Sequence, residues 1–389
     1  MSGFLFQGAT LGDHKVSLRV QDGRIARISP APLAPLPQEQ VRQGGRITAP
    51  FAEPHVHLDA ALLGARAPNK TGTLREGIAN WSRLRAMLTA EDVRARALET
   101  LEMYASHGTL RVRTHVDTGS LLAVETLVAL KGEAMDRGIE LQVVAFPQEG
   151  ILRAPGRQAQ WEAAVALGCD AVGGIPHFER TAEEVWQSVR MAFDLAEKHG
   201  LMVDFHCDET DDPSTRNLEV VCAETLDRGF GGRVVAGHCT ALHSYPNPHA
   251  AKVVELVAES GVQVVANPLD NIVLQGRYDS YPRRRGLTRV DELWAAGAVV
   301  GIGHDSVQDP WYPLGTADML DPAYMLLHLG QLTSLAEMRR IFFCLSGDNH
   351  LAFGGPPELV EGARAQLLWW EQADPIEILR LRPKPLVLR

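Results

Sequence analysis

The sequence predicts an α/β protein: a (β/α)8, TIM-like barrel with a small β domain built from the two chain termini. Three observations predict it. Short β-branched runs alternate with longer helical stretches along the middle of the chain; eight such runs can be counted; and a polar residue closes nearly every one of them. Strands alternating with helices imply a parallel sheet, and eight such units imply a closed barrel. An open doubly wound sheet is the competing architecture, but no GxGxxG follows the first run.

The elements follow in order. Within residues 1–48, Val16-Ser17-Leu18-Arg19-Val20 alternates apolar and polar, Asp22-Gly23 is a hairpin turn signal, and 24–28 reads as the return strand. The proline-rich stretch 30–37 cannot be sheet interior and reads as a connector. The eight runs are 47–57, 110–117, 141–147, 171–177, 202–208, 233–238, 262–267 and 298–305, with helical stretches such as 90–107, 181–199, 248–259 and 289–296 between them. Apolar runs return at 366–370 and 383–388. The expected organisation is a small β domain from 1–48 plus 356–389, and a barrel domain over 49–355.

Composition narrows the function classes. With 389 residues, 45% hydrophobic and 22% charged, the chain has ample core and no signature of disorder. A formal net charge of -10 gives no electrostatic footprint for nucleic acid or an anionic membrane, so a small neutral ligand is expected as partner. Five scattered cysteines with no CxxC pair exclude a disulfide framework and a zinc ribbon. The opening residues from Met1 to Phe6 lack a basic segment and a leader-length apolar core, and no apolar run spans a membrane. A soluble cytoplasmic protein is expected. Such barrels are compatible with homo-oligomers, but no residue here indicates one.

The chemistry lies at the run ends. His55, His57, His115, Asp117, Gln148, His177, His206, Glu209, His238, Asn267, His304 and Asp305 all sit at or just past a C-terminal strand end, which in such a barrel is the catalytic face. Unpaired buried polar groups cost roughly 1–3 kcal/mol each, so a polar residue at every strand end calls for a function. In His55-Val56-His57, residues i and i+2 point to the same face, so both imidazoles can reach one ion. HxH alone is weak; His206, His238 and Asp305 on later strands strengthen it. Neutral imidazoles with one carboxylate suit Zn2+ or Fe2+. Asp59 and Asp117 read as supports for backbone or histidine. Cys207 and Cys239 read as packing residues, because strand neighbours face away.

The segments PFAEPHVHLD (50–59), GTLREGI (72–78), RTHVD (113–117), LQVVAFPQEGI (141–151), GGIPHFE (173–179), DFHCDE (204–209), GHCTALHSY (237–245), VANPLDNIVLQGRYDSYPRRRG (264–286) and GHDSVQDPWYPLGTADM (303–319) resemble the amidohydrolase superfamily, and within it the bacterial cytosine deaminases. The resemblance covers most of 45–320. It implies hydrolytic deamination of a free cytosine-type base with one divalent metal ion, Zn2+ or Fe2+. It implies His55, His57, His206 and Asp305 as metal ligands, with Asp305 also taking the water's proton. Glu209 would shuttle protons to the ring nitrogen, and His238 would orient the water. Gln148 would read the substrate's carbonyl and ring N–H, the backbone around Leu74 would meet the ring edge, and Trp311 would close the pocket. Dinuclear relatives carry a bridging lysine at the fourth strand end; here that end reads Gly174-Ile175-Pro176-His177, which favours a single metal.

Two positions depart from the cytosine enzymes. Ser306 stands where they commonly have a second aspartate, and Val273 where they commonly have histidine. Both changes are expected to free volume and make the pocket more apolar, which would admit a C5 substituent such as the methyl of 5-methylcytosine. Competing activities are deamination of another heterocycle, such as isoguanine or a creatinine-like ring, and removal of an N-alkyl amine from a triazine. A non-enzymatic barrel would have lost a ligand or Glu209, and none is lost.

Overall fold

A computed structural model of the chain describes residues 3–389; Met1 and Ser2, where the leader reading began, lie outside the described residues. The chain opens with strands β1 (Phe4–Leu11), β2 (His14–Gln21), β3 (Arg24–Ser29), β4 (Gln40–Gln43) and β5 (Arg46–Thr48). The barrel strands are β6 (Phe51–Val56), β7 (Thr109–Asp117), β8 (Glu140–Phe146), β9 (Ala171–Gly174), β10 (Met202–Cys207), β11 (Val234–His238), β12 (Gln263–Ala266) and β13 (Val300–Ile302). They pair in parallel in chain order with helices between them. Strands β14 (Leu367–Trp370) and β15 (Leu386–Leu388) return to the first sheet, whose order is β15-β14-β5-β1-β2-β3 with β4 beside β1.

The expected first barrel run, 47–57, is in fact two strands in two sheets. Ala49-Pro50 separates them, and proline cannot donate to a ladder. The terminal sheet docks at the N-terminal end of the barrel. Trp370 of β14 packs on Phe51 with ring centroids 5.5 Å apart. At Gly108, just before β7, a Cβ would lie 2.8 Å from Leu368, and φ is +92°, so glycine is required there on both counts. The catalytic face is left clear at the opposite end.

The barrel has a seam. Between β6 and β13 there is only an isolated bridge, Val56 with Asp305. Two buried side chains replace the missing ladder. Asn349 donates to the carbonyls of Ala52 and Ile302, both at 2.8 Å, and accepts from the Ile302 N–H at 2.8 Å. Glu53 accepts the N–H of His55 at 2.8 Å, the N–H of His304 at 3.0 Å, and the Tyr104 hydroxyl at 2.9 Å. Both seam strands lead into site residues, so this stapling sets their register.

The stretch Tyr281-Pro282-Arg283-Arg284-Arg285 is basic; in it Arg284 pairs with Asp279 at 2.6 Å and Arg285 donates to the Leu329 carbonyl. Two of its three arginines are thus engaged within the protein. Among the described residues no helix is long and apolar enough to cross a membrane.

Candidate active site

The cavity at the C-terminal end of the barrel is lined by His57, Leu74, Gln148, His206, Glu209, His238, Asp270, Leu274, Asp305, Ser306 and Trp311. Every residue expected in catalysis or substrate contact therefore meets in one place. His55 lies beneath it, fully buried.

Four donor atoms converge at the floor. His206 Nε2 lies 3.2 Å from His55 Nε2 and 3.1 Å from His57 Nε2. Asp305 Oδ1 lies 3.6 and 3.5 Å from those two nitrogens. Bonds of about 2.0–2.2 Å to one ion put neighbouring ligand atoms roughly 3–3.6 Å apart, so these four separations are compatible with a shared metal. Burial drives the imidazoles of His55 and His206 down and that of His57 to about 4, which keeps them neutral and able to ligate. One shared proton cannot satisfy three converging nitrogens and a carboxylate, whereas one divalent cation does. Room for the His55 ring comes from Gly237 on β11: a Cβ there would lie 2.8 Å from its Cε1.

The backbone turns sharply at these residues. His238 (φ 68°) and Asp305 (φ 69°) are both left-handed, at a cost of order 1–3 kcal/mol each. Such strain is held only where surroundings over-determine it, and it cants both side chains at strand ends.

The remaining groups divide by position. Burial pushes Glu209 up to about 8, so it holds a proton at neutral pH. Its Oε1 is 3.9 Å from His238 Nδ1, and Asp305 Oδ2 is 3.9 Å from the same atom. The Asn271 amide lies 3.0 Å from His238 Nδ1 and fixes the ring. Burial, then the charges of Asp270 and Glu209, raise the Asp305 carboxyl. Leu74 opens the helix Leu74–Arg85, whose N-terminus is capped by Thr73. Trp311 packs on that helix: a Cβ at Gly77 would lie 2.5 Å from its Cδ1. The Asp309 carboxylate accepts the N–H groups of Trp311 and Tyr312, both at 2.9 Å, and shapes the turn.

His115 is not a cavity residue. Its ring centroid lies 4.0 Å from that of His55, and its Nε2 is 3.6 Å from the buried Asp204, which pairs with Arg113 at 2.9 Å. Asp59 accepts the Asp117 N–H at 2.9 Å, and Asp117 accepts Trp81 Nε1 at 2.8 Å.

The structure corrects the reading of Ser306 and Val273. The Ser306 hydroxyl donates to Asp270 Oδ2 at 2.6 Å, so a second carboxylate does stand in the pocket, supplied from the helix Pro268–Leu274. Val273 does not line the cavity; it packs in the apolar cluster of Ala60, Trp81 and Trp311. Asp270 and Leu274 went unread in the sequence. The signal was there: 267, 270, 271 and 274 share one helical face, at i, i+3, i+4 and i+7.

The seam carries a prediction. Glu53→Gln places an amide N–H against a backbone donor and is expected to weaken divalent-metal affinity about tenfold, within the range for groups that orient ligands. Chelator competition measures it. Tyr104→Phe, which leaves both ligand strands tied, is expected to change affinity less than about twofold. Wild-type affinity in Glu53→Gln would remove Glu53 from this role.

The comparisons with known proteins agree with this geometry. A profile described as the Amidohydrolase family matches residues 43–387. The solved structure of 5-methylcytosine deaminase from Klebsiella pneumoniae, liganded with phosphonocytosine, superposes with a TM-score of 0.93 at 40% identity, covering 99% of this chain and 95% of that one. A pterin deaminase from Rhizobium rhizogenes is 32% identical over 372 residues, 89% of this chain and 82% of its own length. An N-isopropylammelide isopropyl amidohydrolase from a Pseudomonas species is 26% identical, over 82% of this chain and 77% of its own. The barrel, the convergence of imidazoles and a carboxylate at its C-terminal end, and the match across nearly the whole chain place this protein in the amidohydrolase family.

Proposed function

We propose that this enzyme hydrolyses the exocyclic amine of a free cytosine-type base, with 5-methylcytosine within its range, giving the uracil- or thymine-type product and ammonia. The observation that carries the reading is the 40% identity and 0.93 TM-score with 5-methylcytosine deaminase over 99% of the chain, joined to a cavity whose lining includes Gln148, Glu209 and His238.

One divalent cation, Zn2+ or Fe2+, held by His55, His57, His206 and Asp305, would supply Lewis acidity that brings a water's pKa near neutrality. The chain's own groups do the rest. Gln148 and the backbone at Leu74 hold the ring by its carbonyl and N–H, and Trp311 covers it. His238 orients the attacking water, and Asp305 takes its proton. Glu209, protonated at neutral pH because it is buried, delivers a proton to the ring nitrogen beside the attacked carbon. A second proton passes to the amine, the C–N bond breaks, and ammonia leaves as the carbonyl forms.

A fused-ring substrate is the second reading. It is favoured by the 32% identity to a pterin deaminase and by an outer vestibule of about 840 Å3 that shares Leu74, Glu209 and Leu274 with the inner cavity. Ammonia release from cytosine, 5-methylcytosine, isoguanine, creatinine and pterin, by protein loaded with Zn2+ or Fe2+, separates the readings. Cytosine or its 5-methyl form is expected to give the highest kcat/KM. Turnover of pterin alone would move the substrate to fused rings.

A further inference from the structure

We infer that Asp270 contacts the substrate: its free carboxylate oxygen accepts an N–H of the exocyclic amine that the reaction expels, while Ser306 holds the other oxygen. The inference rests on the amine-hydrolysing function proposed above.

Asp270 is the third residue of the short helix after β12, is 2% exposed, and lines the same cavity as Glu209, His238 and Asp305. Its Oδ2 receives the Ser306 hydroxyl at 2.6 Å. Its Oδ1 is buried and has no hydrogen-bond partner among the described residues. A buried carboxylate oxygen left unpaired is costly, and a bound donor removes that cost. No lysine or arginine is among the cavity's lining residues, so no protein cation there competes for it.

The donor follows from position. Asp270 and Asp305 line the same cavity, and the charge of Asp270 is the largest one acting on the Asp305 carboxyl. Asp305 is the group that takes the water's proton, so the attacked carbon and its amine lie next to it. Of the donors on a cytosine-type ring, the exocyclic amine is therefore nearest Asp270. An amine presents N–H groups to this oxygen before the reaction, and ammonia does so after the C–N bond breaks. The product instead carries a carbonyl oxygen at that carbon, which a carboxylate repels. Asp270 would thus favour the amine-bearing ring over the oxygen-bearing one, and help the product leave.

The test separates contact from mere support of Asp305. In metal-loaded Glu209→Gln protein, whose turnover is expected to be about 10²–10⁴-fold slower, calorimetric titration with cytosine and with uracil compares two rings that differ in an amine against a carbonyl. Adding Asp270→Asn is expected to weaken cytosine about tenfold and to leave uracil unchanged or tighter. Adding Ser306→Ala should move cytosine the same way by less, since the carboxylate remains but loses its aim. Equal weakening of both bases, or loss of bound metal, makes Asp270 a prop for Asp305 and overturns the inference. Unchanged cytosine binding overturns it too. The unsubstituted enzyme is assayed alongside for ammonia release; failure to deaminate any base there overturns the function proposed above, and this inference with it.

Discussion

Glu209→Gln is expected to lower kcat on the preferred base by about 10²–10⁴-fold, the range for removing one general acid–base group, while metal content and melting temperature stay close to wild type. Glu209 sits in the cavity with His238 3.9 Å away, and burial holds its carboxyl protonated at neutral pH. Glutamine keeps the size and the hydrogen-bonding reach but has no proton to give. The change therefore removes proton delivery to the ring nitrogen and little else. Steady-state ammonia release, with metal quantified on the same samples, decides it. A variant that keeps more than about a tenth of wild-type kcat would assign the proton step to another group.

The second large effect comes from removing the metal. Dialysis against a chelator is expected to bring ammonia release to background and to lower the melting temperature by several degrees. A ligand bound only to the folded state stabilises it by about 4 kcal/mol at a thousand times its dissociation constant. Without it, three neutral imidazoles and Asp305 are buried around an unfilled centre, and burial, then the charge of Asp270, raises the Asp305 carboxyl. Re-addition of Zn2+ and of Fe2+ in parallel shows which restores turnover. Full activity in protein shown to be metal-free would overturn the ligand assignment.

How much of this was legible in the sequence depends on distance along the chain. Each barrel strand announced itself, because strands buried on both faces read as apolar runs and their polar ends stand out. The one misjoined run, 47–57, failed because β5 and β6 are both apolar and only two residues separate them; pairing with β14 rather than with the barrel decides which sheet β5 enters. Asp270 was passed over because a seven-residue helix is too short to show its period against a strand-end background. Ser306 was taken for a lost carboxylate because its partner lies 36 residues away.

The sequence by itself determined the architecture and the inventory of the site: alternation sets the strands, and i, i+2 spacing puts His55 and His57 on one face. Only the tertiary structure decided how that inventory is assembled. Barrel closure brings Glu53 to the backbone of His304, 251 residues away, and so aligns the two strands that lead to His55 and Asp305. It also sets Asp270 against Ser306, with one oxygen held and the other left bare. Hydrogen bonds of this kind depend on fractions of an ångström between distant segments, and no local pattern encodes that register.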